Sequence, residues 1–185
     1  YAFVFQYENL FYRFNNMLYK KEVYSDTIYS FEKKDFKPHL IIEHGKKLIT
    51  TKARTDYTPD QIMDNFIRPL NLFEFGNYIY YEFLIGHGVF SFIGSKKNDV
   101  QFLINPEQGL LNDLDGGPNI WPKTIWDDNT MIGCVEVLNL KKLIASETFK
   151  NSTPKYPEKK KELEELANRL KETDNPVLML VRFKE

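Results

Sequence analysis

Large side chains alternate along residues 78–85. Ile79, Tyr81, Phe83 and Ile85 take one set of positions, and Tyr78, Tyr80, Glu82 and Leu84 the other. A period of two is that of a β-strand, and large residues at both parities predict a strand covered on both faces. Residues 89–93 repeat the pattern after Gly86-His87-Gly88. Val100, Phe102 and Ile104 follow the polar turn 94–99, and residues 72–75 precede the whole set. The pattern predicts four antiparallel strands.

An earlier stretch carries the same arrangement. NMLYKKEVYSDTIYSF (16–31) aligns without a gap on NYIYYEFLIGHGVFSF (77–92), so that Asn16 meets Asn77, Tyr19 meets Tyr80, Ser30 meets Ser91 and Phe31 meets Phe92. Asn9-Leu10-Phe11 corresponds to Asn71-Leu72-Phe73 with a one-residue slip, and residues 40–42 supply the last strand after the turn 32–35. Polar hinges and apolar runs agree together, which marks an internal repeat. Strands buried on both faces need a sheet stacked on either side, and radial repetition of a four-stranded unit supplies that.

A third, degenerate copy opens at residues 124–132, with Asn129 in the place of Asn77. Arg13-Phe14-Asn15-Asn16, Glu74-Phe75-Gly76-Asn77 and Trp126-Asp127-Asp128-Asn129 then form equivalent hairpin turns. Asn and Asp suit these because they tolerate the left-handed region and bond their own backbone. Val135, Val137 and Leu138 read as the end of the strand, and residues 140–149 as a short helix. Tyr156-Pro157 opens an amphipathic helix with Leu163, Leu166, Ala167 and Leu170 on its apolar face. Residues 177–183 read as a covered final strand, and Thr58-Pro59-Asp60-Gln61 caps a helix over 59–67.

The chain is therefore expected to be mainly β: β-propeller blades, each a four-stranded antiparallel sheet, in about three units that form an incomplete ring. Two or three short helices accompany them, two near the C-terminus. Within this single partial domain, residues 1–45 make the first blade, 46–70 an inter-blade helix and loop, and 71–109 the second blade. Residues 110–185 make the third, with a helical insertion and a final strand. The opening Tyr1-Ala2-Phe3-Val4-Phe5 reads as the middle of a strand, as in a piece of a longer polypeptide.

Composition narrows the function. With 25 Lys+Arg against 26 Asp+Glu the formal net charge is -1, without the broad positive field that nucleic acids demand. The Glu158–Glu162 charge run reads as the solvated face of a helix. No run of about 18 apolar residues exists, so no transmembrane segment is expected. Cys134, the one cysteine, lies in an apolar run and reads as a buried, inert thiol. No H-E-x-x-H, G-x-S-x-G, P-loop or G-x-G-x-x-G pattern occurs.

Three further segments carry a resemblance. Ser25-Asp26-Thr27-Ile28-Tyr29 with Lys37-Pro38-His39-Leu40-Ile41-Ile42 is the first. Asn112-Asp113-Leu114-Asp115-Gly116-Gly117-Pro118 with Trp121-Pro122 is the second, and Asn151-Ser152-Thr153-Pro154 through residues 175–181 the third. With these the chain resembles the C-terminal half of a bacterial six-bladed β-propeller family, TolB-like. The resemblance implies a cell-envelope location, the parent being a membrane-anchored lipoprotein, periplasmic or surface-exposed. It implies no established activity, so no catalytic residue is assigned. A six-bladed ring needs about twice this length, at roughly 40–60 residues per blade. A missing N-terminal half, or a second chain, is expected to close it.

In a propeller the inter-blade connections and the second-to-third strand turns open on one face. That places loops 24–27, 55–65, 86–88 and 112–118 together, and Asp26, His87, Asp113, Asp115 and Trp121 become the candidate ligand-binding residues. Loops 95–99 and 126–129 belong to the other face. Asp113 and Asp115 are spaced as Ca²⁺ ligands can be, yet the full calcium-loop pattern is absent, and aspartates capping the amides of a sharp Gly116-Gly117-Pro118 loop explain them more simply. His39 and His44 share no cluster in the sequence, and Trp121 and Trp126 read as aromatic core. The function expected is non-catalytic binding of a protein, peptide or glycan, with no cofactor beyond the Ca²⁺ option. The alternative is a propeller enzyme, a lyase or lactonase-type hydrolase, with loop aspartates holding a divalent ion.

Overall fold

A computed structural model describes residues 8–182, so the expected strand at Tyr1–Phe5 and residue Phe183 lie outside it. The chain is mainly β, with three antiparallel sheets. β1 (Asn9–Phe14), β2 (Met17–Glu22), β3 (Thr27–Glu32) and β4 (Asp35–Ile41) form the first sheet in that order. β5 (Arg68–Phe75), β6 (Tyr78–Ile85), β7 (Gly88–Ser95) and β8 (Gln101–Ile104) form the second in the same order. β9 (Thr124–Asp127), β10 (Thr130–Val135) and β11 (Val177–Arg182) form the third, with β10 central.

The helices are α1 (Thr51–Asp56), α2 (Pro59–Asn65), α3 (Val137–Ala145), α4 (Glu147–Asn151) and α5 (Pro157–Arg169), with a 3-10 turn at Gly45–Lys47. The described helices thus exceed the two or three expected. α1 escaped the reading because its polar sequence, TKARTD, buries only Ala53. The helix expected over 140–149 is two helices. Ser146 breaks it: extended itself, it accepts from the Phe149 amide through its side chain and so caps α4. Val137 and Leu138 belong to α3 and not to a strand, because the 3.6-residue spacing of buried Val137 and Leu140 outweighs their strand preference.

Two compact units divide the chain. One comprises the residues up to Pro106 together with Asp127–Asn129; the other comprises Glu107–Trp126 and Thr130 onward. In the first unit, β1 alternates buried Leu10, Tyr12 and Phe14 with exposed Asn9, Phe11 and Arg13. The buried side meets the second sheet through β1 and β5. There Leu72, Phe73, Glu74 and Phe75 are buried in succession, as are Ile79, Tyr80 and Tyr81, so the second sheet is covered on both faces. A satellite core of Val23, Ile49, Ala53, Ile62 and Phe66 holds α1 and α2 to the end of β2. α2 starts on a capping box, Thr58 and Gln61 each bonding the other's backbone.

The hairpin turns behave as their residues require. Asn15, Asn16 and Gly76 take positive φ, and Asp127 Oδ1 accepts from its own chain at the Asn129 amide, 2.9 Å. The three equivalent turns meet in the first unit. Asp128 Oδ1 accepts the Asn15 amide at 2.9 Å, and the Asp128 carbonyl accepts the Gly76 amide at 2.6 Å. At the β3–β4 turn, Lys33 and Lys34 hold φ of 49° and 71° with no glycine present. A left-handed lysine costs roughly 1 kcal/mol over glycine, so Lys34→Gly is expected to raise stability by about that amount in urea denaturation. No gain at all would show that the turn carries no such strain.

The final strand is not covered as expected. β11 lies at a sheet edge and alternates, with Leu178 and Leu180 exposed. Cys134, opposite Leu178 in the register, is exposed rather than buried, since the neighbouring apolar residues line the other face. Trp126 is also exposed, 69%, and so is not core. No helix of the described residues is long and apolar enough to cross a membrane.

Candidate functional site

Register fixes which side chains of the first unit face one another. Leu72, Tyr81, Phe92 and Leu103 are successive partners across the second sheet, and Glu74, Ile79, Gly94 and Gln101 form the next row of the same face. This face looks toward the first sheet, and two polar clusters lie on it.

Glu74 sits at the first. Its side chain is fully buried, a position an isolated carboxylate cannot hold without partners. Oε1 accepts the Tyr12 hydroxyl at 2.7 Å and engages His39 Nε2 at 2.8 Å, while Oε2 accepts Lys96 Nζ at 2.6 Å. Lys96 Nζ also stands 4.0 Å from the centre of the Phe14 ring. Tyr12 stacks on Tyr19, which touches the His39 ring. Burial first, then the Glu74 charge, pushes the Tyr12 hydroxyl far above the ordinary tyrosine range, so it stays protonated as the donor.

The second cluster joins the β2–β3 turn to the segment after β4. Asp26 Oδ1 accepts the His44 backbone amide at 3.2 Å and pairs closely with His44 Nδ1. His44 Nε2 meets the Tyr81 hydroxyl at 3.0 Å. Lys21, 1% exposed, donates Nζ to the Ser25 carbonyl at 2.8 Å and the Glu22 carbonyl at 3.2 Å. Burial and then the Lys21 charge hold His44 below its usual pKa, against the pull of Asp26. Burial raises Tyr81, and it pushes Lys21 down to about 8. The neutral imidazole thus donates from Nδ1 to Asp26 and accepts from Tyr81 at Nε2. Both ring nitrogens are thus hydrogen-bonded within the cluster.

Beside this cluster the sheets separate into a cleft of about 690 Å³. Ile41 and His44 stand on one side, and Ile79, Tyr81, Phe92 and Leu103 on the other. Ile41 and Leu103 are among the exposed large hydrophobics, so the cleft presents apolar surface to solvent.

Of the residues picked from the sequence, Asp26 belongs to the His44 cluster. His87 is exposed on the β6–β7 turn, beside α2: the Gly86 amide donates to the Met63 carbonyl at 2.9 Å. Loops 24–27, 55–65 and 86–88 do gather at one end of the first unit, where Arg54 pairs with Tyr24 and Arg68 donates to the Gly86 carbonyl at 2.7 Å. Asp113 and Asp115 lie in the second unit. Asp115 Oδ1 accepts from the Gly117 amide at 2.8 Å and from Asn112 Nδ2 at 2.7 Å, and Asp113 is exposed, its carbonyl accepting the Lys155 amide. Trp121 is half-buried, its indole over Gly109. No group of three or more His, Cys, Asp or Glu among the described residues could hold a metal ion.

Sequence reasoning missed Glu74, His39, His44 and Lys96, because their meeting depends on pairings far apart in the chain. One signal was available: Glu74 is a lone acid in the run Leu72-Phe73-Glu74-Phe75, and a charge inside such a strand demands buried partners.

Residues 1–182 match the family described as a domain of unknown function (DUF4934). No curated protein matches this chain. Among solved structures it is similar to that of a candidate exported protein from Bacteroides fragilis, with a TM-score of 0.66 and 18% identity. The likeness covers 95% of this chain and 49% of that one, so the chain spans about half the length of the solved protein. At that identity the likeness is one of fold.

Proposed function

We propose, for a chain that belongs to the DUF4934 family, a non-catalytic binding role: part of a β-propeller of the bacterial cell envelope that holds a protein or peptide in the cleft of the first unit. One observation carries the reading. The cleft is open, and its wall sets Ile41, Ile79, Phe92 and Leu103 beside polar Glu43, Asn98, Asp99 and Gln101, while His44 bonds both Asp26 and Tyr81. Such a surface can bury an apolar side chain of a bound peptide while its polar groups meet the peptide backbone.

The propeller has separate support. Two sheets repeat one strand order, and equivalent turns meet at Asp128. The outer face of the first sheet leaves Phe11, Leu18, Phe31 and Phe36 exposed, as an end sheet awaiting a neighbour would. In this proposal an upstream half, or a second chain, supplies the neighbouring blades. The envelope assignment, with a lipoprotein anchor on the parent, rests on the exported relative and on the resemblance of the sequence segments. Loops bearing Asp26 and His87 then offer further contacts at one end of the first unit.

Calorimetric titration of the protein with extended apolar peptides, beside a glycan array, tests this. Leu103→Glu, which sets a charge in the cleft, is expected to weaken peptide binding at least about tenfold. Peptide affinity untouched by that variant, or binding seen on glycans alone, would end the assignment.

A further inference from the structure

We infer that the cleft of the first unit takes a cationic partner: an extended segment of another protein in which lysine or arginine alternates with large apolar residues. The inference rests on the binding role proposed above and adds the charge of the occupant. Besides Tyr81, the titratable side chains lining the cleft are Glu43, His44, Lys96 and Asp99. Two of these are already compensated. Lys96 Nζ donates to buried Glu74 at 2.6 Å, and His44 is paired with Asp26. Glu43 and Asp99 have neither a hydrogen bond nor an ion pair among the described residues, so their two negative charges stand uncompensated on the cleft. Lys46, Lys47 and Lys97 lie near them in the sequence but do not line it.

Neighbouring groups hold the backbone at both acids. Asp99 stands in the turn between β7 and β8. There Ser95 Oγ accepts the Lys97 amide at 3.2 Å and the Asn98 amide at 3.3 Å, and Asn98 Oδ1 accepts the Val100 amide at 3.2 Å. Glu43 follows β4 on the other wall. On either side of it, the Ile42 amide donates to the Asp26 carbonyl at 2.9 Å and the His44 amide to Asp26 Oδ1 at 3.2 Å. Each acid is thus set in place without the use of its own carboxylate, which leaves that carboxylate available to a ligand.

The same walls carry Ile41, Ile79, Phe92 and Leu103. An occupant that covers these apolar groups also takes water from the two carboxylates. A carboxylate left dry and unpaired is costly, and an ammonium or guanidinium group offsets that cost with a charge-assisted hydrogen bond. A wholly apolar or an acidic segment is disfavoured for the same reason. Successive side chains of an extended chain point to opposite sides. An alternating segment therefore turns its apolar residues to the wall, while the long stems of its cationic residues lie along apolar surface and bring their charges to Glu43 and Asp99. Acids on two walls suit two cations carried along one chain.

Titration of the full-length protein with three end-blocked octapeptides tests this, leucine alternating in them with lysine, with glutamine or with glutamate. At about 0.01 M salt, where the screening length is about 30 Å, the lysine peptide binds at least about fivefold more tightly than the glutamine peptide, as two part-exposed ion pairs would give. The glutamate peptide binds most weakly. Glu43→Gln combined with Asp99→Asn removes the preference for lysine and leaves the glutamine peptide bound as before. Glu164→Gln combined with Glu172→Gln, the same change of net charge on exposed acids outside the cleft, keeps the preference. Equal binding of all three peptides overturns this inference and spares the binding role. A preference that survives the Glu43/Asp99 variant, or that the Glu164/Glu172 variant abolishes equally, overturns it as well. If none of the peptides binds, the binding role and this inference fall together.

Discussion

Glu74→Ala is expected to lower folding stability by about 3–5 kcal/mol, because it leaves Lys96 without its carboxylate and strips the Tyr12 hydroxyl of its acceptor inside the protein. Urea denaturation with a fixed m-value measures it. The conservative Glu74→Gln keeps the volume and one acceptor, so it should lose clearly less than alanine while still leaving the lysine uncompensated. A loss below about 1 kcal/mol for the alanine variant would mean that the cluster contributes little net stability, as some buried ion networks do. The alternative outcome is instructive too. Glu74→Leu combined with Lys96→Met should recover much of the loss, since removing both charges also removes both desolvation costs.

The pH dependence of stability is expected to turn on Lys21. Burial holds its folded pKa at about 8 against an ordinary lysine value of 10.5. Between those values the folded amine has lost its proton and the unfolded one has kept it, so unfolding takes up a proton and stability rises with pH. From pH 8 to 10 the gain is about 2 kcal/mol relative to Lys21→Met, which lacks the group. Tyrosines act in the opposite sense. Tyr12, Tyr80 and Tyr81 are raised, mainly by burial, so the unfolded state loses their protons first and stability falls above about pH 10. The difference between wild type and variant isolates the lysine. Parallel stability curves for the two proteins over pH 8–10 would show that Lys21 keeps its charge in the fold.

Much of the architecture was legible in the residues. Alternation at 78–85, polar hinges at 15–16 and 76–77, and the matched segments 16–31 and 77–92 mark the central strands of the first two sheets, but β4 runs over Asp35–Ile41 where residues 40–42 were expected. The third copy was legible only to Val135. Beyond it, Val137 and Leu138 fit a strand as well as a helix, and burial of Val137 with Leu140 decided for the helix. The candidate site was scarcely legible. Asp26 was singled out by its loop, but its partner His44 stands 18 residues away and Tyr81 lies 37 residues beyond that histidine.

The sequence by itself determined what is local: strand alternation, the left-handed Asn turns, the capping box at Thr58 and proline at the start of α5. These follow from side-chain period and backbone sterics within a few residues, so short stretches suffice to specify them. Tertiary structure decided what is shared between distant strands. Glu74 meets Tyr12 across a separation of 62 residues, Cys134 is left exposed, and β11 becomes an edge. The physical reason is that burial and charge compensation depend on which faces come into register, and a one-residue slip in pairing reverses every face.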